Sequence, residues 1–290
     1  MRRLTVILLF CSLSGFAQDD LMSLLNDEEG SQEVEATFKS TRLISGQTTE
    51  MRSAGILDFV ISHRFGRVNQ GIEQFYGLDD AFIRLGLDYG ITDRLNVGIG
   101  RSSFQKIVDG SLKYKILIQQ TGEKSMPVSL VAFTSLAIKT GDGAFSDPTV
   151  DHPFSDRLYS TFQLLASRKM NTNLSLQLMP TYIHRNLVPS DEYPNDVIAL
   201  GVGGRYKISK RVAINAEWFP QVTEKGPEVT NALSFGVDIE TGGHVFQLHI
   251  TNSRSMIEQG FISETTGNWS DGDIHLGFNI SRVFDLTPKK

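Results

Sequence analysis

One cysteine stands in 290 residues, at position 11, inside what reads as an export signal. Arg2 and Arg3 precede an apolar run from Leu4 to Phe10, and Gly15-Phe16-Ala17 offers small residues to a signal peptidase. This predicts a signal peptide over 1–17, cleaved before Gln18. Leu8-Leu9-Phe10-Cys11 faintly resembles a lipoprotein signal, but Phe10 is bulky where a small residue is needed. With Cys11 removed, the exported chain has no disulfide framework, no thiolate metal site and no cysteine nucleophile. Long hydrophobic runs are also missing: beyond the signal nothing approaches the about 18 consecutive apolar residues of a membrane helix. Basic clusters are absent too, and the formal charge of -5 argues against a nucleic-acid partner.

What the chain does have is alternation. The stretch "RLGLDYGITDRLNVGIG" (84–100) is apolar at every second position on both sides of a turn: Leu85, Leu87, Tyr89, then Leu95, Val97, Ile99. From Gly55 onward, twelve such segments follow one another with no helical pattern between any two. The connections sort by length. Those around 90–93, 120–127, 169–173, 209–211 and 241–243 are read as short, and those at 66–80, 101–110, 140–156, 184–196, 221–230 and 252–271 as long. An even number of strands, with short turns at one end and long loops at the other, is the pattern of a transmembrane barrel. A soluble sandwich has no reason to sort its connections this way. The predicted fold class is therefore all-β: a transmembrane, antiparallel, up-and-down β-barrel of about 12 strands.

Four segments organise the chain: the signal peptide (1–17), an acidic periplasmic leader (18–36), a strand-like lead-in (37–54) and the barrel (55–286). In such a barrel the apolar row meets lipid and the other row faces the lumen. The lumen-lining candidates are Asp58, Arg64, Arg84, Asp88, Asn96, Lys113, Lys115, Arg157, Arg205, Glu217, Asp238, His249 and His275. Both signs recur on neighbouring strands, so these groups can pair across the interior. Small residues in this row, such as Gly86, Gly98, Gly201, Gly203 and Gly277, suit a crowded concave face. Phe65, Tyr89, Tyr182, Tyr206, Trp218, Phe219 and Phe284, near strand ends, are candidates for interfacial girdles.

Catalytic and metal chemistry find little support. No G-x-S-x-G elbow is present. Ser62 and His63 are adjacent in one strand and point to opposite faces, while His249 and Ser253 lie close in sequence with Asn252 beside them. Asp142, Asp147, Asp151, His152 and Asp156 make an oxygen-rich loop without the D-x-D-x-D-G spacing of a calcium loop. His249 and His275, on consecutive strands, lack a third zinc ligand. No catalytic residue, metal site or cofactor is assigned, and the chain is read as a non-enzyme.

"TFKSTRLISGQTTE", "DFVISHRFGRVNQG", "FYGLDDAFIRLGLDYGITDRLNVGIGRSS" and "DGSLKYKILIQQ" together resemble an uncharacterised membrane β-barrel family of Bacteroidota. The resemblance is dense over 37–120 and continues as pattern to the C-terminus. It implies the bacterial outer membrane, and with it a lipid environment, but no substrate. Twelve strands lie between a barrel filled by its own side chains and one with an open channel. One reading is a porin-like barrel that passes or binds a small polar solute through a charged lumen, and 37–50 is a candidate to close it. The alternative is a structural or interaction barrel that anchors a periplasmic or surface partner, through the long loops or residues 18–50. A barrel-embedded hydrolase ranks third.

Overall fold

A computed structural model describes residues 31–141, 153–241 and 244–287. The expected signal peptide and leader residues 18–30 lie outside the described residues. So do Asp142, Asp147, Asp151 and His152 of the acidic loop and the Gly242-Gly243 turn.

Twelve antiparallel strands close into a barrel in sequence order. They are β1 (Ile56–Arg67), β2 (Ala81–Thr92), β3 (Leu95–Ser102), β4 (Ile107–Leu117), β5 (Ser129–Lys139) and β6 (Leu158–Lys169). The second half comprises β7 (Leu174–Arg185), β8 (Asp196–Lys207), β9 (Val212–Phe219), β10 (Ala232–Thr241), β11 (His244–Thr251) and β12 (His275–Asp285). Strand β12 pairs with β1, Ile280 opposite Ile61, which leaves no free edge. The start of β1 and the end of β12 share one rim, called here the terminal end. The opposite rim is the distal end.

The outward row is the apolar one. Leu85, Leu87, Tyr89 and Ile99 are exposed, as are Leu176, Leu178, Ile198 and Leu248, whereas Arg84 and Asn96 between them are buried. A row this long left bare to water would be an aggregation site, but in lipid it is the solvent-matched face. No helix among the described residues is long and apolar enough to cross a membrane, so any crossing is made by strands.

Two expectations are corrected. Short and long connections do not alternate strictly: β3 and β4 are joined by only 103–106, while 118–128 between β4 and β5 is longer. The extra length holds a small ladder in which Gln120 and Thr121 pair with Glu33 and Gln32 at the terminal end. Phe219 belongs to no girdle. It is wholly buried and packs against Phe261 inside the barrel, with ring centroids 4.9 Å apart. Its neighbour Trp218 points outward, and adjacent strand residues cannot share a face.

Candidate functional site

The interior is occupied by the chain itself. From the terminal end, residues 37–50 enter as a tight hairpin: Leu43 N donates to Gly46 O (2.8 Å), Thr48 N donates to Thr41 O (3.0 Å), and Arg42 bridges Gln47. Thr41 through Thr49 are all buried. A hairpin of this length has too few partners of its own, so its remaining polar groups need the wall.

The wall supplies them. Lys113 Nζ donates to the carbonyls of Thr41 (2.9 Å) and Thr48 (3.2 Å). Gln177 accepts from Thr49 N and donates to Gln47 O, at 3.0 and 2.7 Å. Gln247 donates to Leu43 O and Asn279 to Ile44 O. At the tip, Glu217 accepts three backbone N–H groups in a row, from Ile44 (3.2 Å), Ser45 (2.8 Å) and Gly46 (3.1 Å). Successive N–H groups aimed at one carboxylate form an anion nest. Arg64 reaches Ser45 Oγ at 2.7 Å, and Thr41 Oγ1 donates to Asp88 at 3.1 Å.

Steric fit agrees. A Cβ on Gly203 would stand 2.5 Å from Leu43 Cδ2, so this inward glycine makes room for the hairpin.

A second insert comes from the distal end. Residues 252–265, read in the sequence as part of an outer loop, fold back inside and carry the short helix α1 (Glu258–Ser263), every residue of which is buried. Phe261 and Ile262 join an apolar cluster with Val131, Phe133, Leu165, Met179, Ile183 and Phe219 from the inward rows of β5, β6, β7 and β9. Gln221 donates to Ile262 O at 2.6 Å, and Lys139 pairs with Glu264 at 2.9 Å. The insert's end is fastened by Asp273, which accepts from Asn69 (2.8 Å), Arg67 (3.0 Å) and Asn268 N (3.1 Å). Burial works against the Asp273 charge, but those hydrogen bonds and the Arg67 charge outweigh it and hold its carboxyl below the usual range.

The two inserts meet. Glu258 accepts from Arg42 at 3.2 Å and from Gln47 at 2.8 Å.

The thirteen residues singled out in the sequence are placed as follows. Asp58, Arg64, Arg84, Asn96, Lys113, Arg205, Glu217, Asp238, His249 and His275 are buried inside the barrel. Asp88 and Lys115 are half-buried on the inward row, and Arg157 is half-buried in the turn before β6. Asp58 pairs with Arg52 (2.6 Å), Arg84 with Asp109 (2.5 Å), and Arg205 with Glu240 (2.9 Å). The Asn96 amide pairs with the Arg52 backbone at 2.9 and 2.7 Å. His249 stands opposite Gly277 and against Arg64, while His275 pairs with Thr251 and meets Phe65 O, so the two histidines are not opposed. Ser253 bonds to Thr265 and Asn252 to Gly267 O, both within the insert's frame. No cluster of three metal-ligating side chains occurs among the described residues.

The distal insert was missed in the sequence. Its signal was the apolar inward row of β5–β7 and the apolar Met256, Ile257, Phe261 and Ile262 in a supposed loop.

The family model for the membrane bound beta barrel domain (DUF5777) matches residues 38–284. The chain belongs to that family. No curated protein sequence matches it. Among solved structures, it is similar to the NanC porin (9% identity, 78% of this chain and 98% of that one, TM-score 0.48). It is also similar to an outer membrane channel from Pseudomonas putida F1 (14% identity, 81% and 97%, TM-score 0.48). Outer membrane phospholipase A from Escherichia coli matches at 9% identity over 79% and 90%, with a TM-score of 0.43. The family match begins at Phe38, so the hairpin falls within the family domain along with the barrel.

Proposed function

We propose that this chain is a bacterial outer-membrane barrel that binds or passes a small polar solute through its lumen when the 37–50 hairpin withdraws through the terminal, periplasmic end. The supporting observation is how the hairpin is held. Lys113, Gln177, Gln247, Asn279 and Glu217 bond to its backbone, and water or a polar solute can satisfy the same groups. Each such hydrogen bond is worth only about 0.5–1.5 kcal/mol net of water, somewhat more where a charge takes part. A polar wall therefore makes the hairpin exchangeable in a way an apolar core would not.

Thr49 Oγ1 and Ser167 Oγ lie 2.5 Å apart, which suits a cysteine pair. In planar bilayers and in liposome uptake of small sugars and amino acids, the Thr49→Cys/Ser167→Cys barrel should be silent when oxidised and conduct when reduced. Deletion of 37–50 should conduct constitutively. A folded deletion variant with neither conductance nor uptake sinks the solute reading.

Closure of the lumen by two inserts favours the second reading, a barrel that anchors a periplasmic partner through residues 18–50. Its mark is a partner that co-purifies with the full chain and is lost on deletion of 18–50, with no change in conductance.

A further inference from the structure

The outer wall carries a polar row that neither the lumen nor the inserts use. Ser160, His184 and Asp196 lie on three adjacent strands, β6, β7 and β8. Register sets Ser160 directly opposite His184, and His184 directly opposite Asp196. All three belong to the outward row, since Tyr159, Ile183, Arg185 and Val197 beside them point inward and are buried. They sit at the distal rim: Ser160 is the third residue of β6, His184 the last but one of β7, Asp196 the first of β8.

His184 Nδ1 meets Asp196 Oδ1 at 2.7 Å, and Tyr182 Oη donates to the same oxygen at 2.6 Å. An imidazole held this way keeps its proton on Nδ1 and offers the Nε2 lone pair on its other side. Ser160 is the cross-strand neighbour of His184 on the side away from Asp196. Directly opposed residues have Cβ atoms about 4.5–5.5 Å apart, so rotation of the Ser160 side chain alone, with His184 held on Asp196, turns Oγ toward the imidazole. Such bonds are commonly open before substrate arrives.

Beside the row the wall is dented. A groove of about 580 Å³ runs between Leu112, Phe162, Leu164 and Ile198 over the small or kinked Ala132 and Pro180. A second hollow of about 420 Å³, reaching Gly110, Leu136 and Ser160, joins it along Leu112, Thr134 and Phe162. At Pro180 the β6–β7 ladder breaks: pairing passes from Gln163–Thr181 to Ala166–Leu178 with the intervening pairs missing. Proline has no N–H to give the ladder, and in mid-sheet it marks a site where regularity has been surrendered. An apolar trough in the lipid-facing wall, with a Ser-His-Asp row at its interfacial end, fits one kind of occupant. This is an acyl chain whose ester lies at the level of the row.

We propose that Ser160, His184 and Asp196 form a hydrolytic site for the acyl ester of a membrane lipid, with the chain seated in the Leu112–Phe162–Pro180 groove. Ser160 Oγ attacks the ester carbonyl carbon while His184 Nε2 takes its proton. The C–O bond to the alcohol then breaks, and the same proton passes to the leaving oxygen. Water repeats the sequence on the acyl-serine, releasing the fatty acid and restoring Ser160. Asp196 is a positioning residue, holding the tautomer. The nucleophile lies within a strand, so no elbow motif announces it in the sequence.

The test uses the full folded barrel in detergent micelles, with p-nitrophenyl caprylate as substrate and a fluorophosphonate as active-serine label. The site predicts label on Ser160 by peptide mapping and hydrolysis that falls at least about 100-fold in Ser160→Ala and His184→Ala. Both variants should keep heat-modifiable migration on gels, which reports a closed barrel. Caprylate should be preferred to acetate, and Thr134→Trp, which fills the groove, should abolish that preference. A folded barrel that neither takes the label at Ser160 nor hydrolyses caprylate above buffer overturns the proposal. So does hydrolysis that survives in Ser160→Ala.

Discussion

Arg42 of the terminal hairpin and Glu258 of the distal insert form a buried ion pair at 3.2 Å, with 7% and 3% of their side chains exposed. Two segments entering from opposite rims are thus tied inside the barrel by charges that have almost no water to fall back on. Removing one partner of such a pair costs about 3–5 kcal/mol because it strands the other charge, whereas replacing both by apolar groups is often neutral. Arg42→Met alone should therefore destabilise the interior, and Arg42→Met with Glu258→Leu should recover most of the loss. Urea unfolding of the four members of this cycle in lipid vesicles measures the coupling. Additive losses would mean that the two inserts are held independently.

Glu217 is the tip's anchor, and its three N–H donors make a second, separable prediction. Hydrogen bonds to a charged group are worth about 1.5–3 kcal/mol each, but they share one carboxylate and cannot simply be summed. Glu217→Gln keeps the shape and loses the charge, so the tip should loosen while the strands stay paired. Amide exchange at Ile44, Ser45 and Gly46 should quicken by about 10-fold or more, with exchange in β8 and β9 unchanged. Unaltered tip exchange would show that the wall's other donors, Lys113, Gln177, Gln247 and Asn279, hold the hairpin without it.

Phe261 tests the distal insert. Its ring lies edge-on to Phe219 within the apolar cluster, and large-to-alanine changes at such sites cost about 3–5 kcal/mol. The strands close without it, so the expected damage is local. Phe261→Ala should admit protease between 252 and 265 while boiled and unboiled samples still migrate differently. Loss of the migration shift would mean that this cluster supports the barrel itself.

The outer face was legible in the sequence because the two-residue period and a lipid solvent leave little freedom. Leu85, Leu87, Tyr89 and Ile99 follow from alternation alone. The interior was harder, because a polar inward residue looks the same whether it meets water or a plug. Lys113 and Gln177 carry no mark in the sequence of the carbonyls they bind. Position 219 misled because aromatic type was read ahead of parity. Ser160, His184 and Asp196 became neighbours only through strand register, which depends on connection lengths that hydropathy does not measure.

Acid should loosen the distal end. The Asp273 carboxyl is held below its usual range by Asn69, Asn268 and Arg67, so its contribution is present above the unfolded-state value and fades as pH falls through the lower folded one. Protease sensitivity of 266–274 should rise on acidification through and below the ordinary carboxylate range. Asp273→Asn should show that sensitivity already at neutral pH. A pH-independent digestion pattern in the parent barrel would remove Asp273 as the fastening.

Gly203 offers the cleanest way to unseat the hairpin without touching a hydrogen bond. Its missing side chain leaves the space that Leu43 fills, and a valine there has favourable strand propensity but no room. Gly203→Val should therefore keep the barrel closed while pushing the hairpin out of place. The change would appear as faster amide exchange across 41–48 and, on the solute reading, as conductance above that of the parent. Leu43→Ala removes the obstructing methyl groups, so adding it to Gly203→Val should let the hairpin reseat and restore slow exchange. Had the double variant stayed as open as the single one, the collision would lie elsewhere on β8 and the fit between Gly203 and Leu43 would not be what seats the plug.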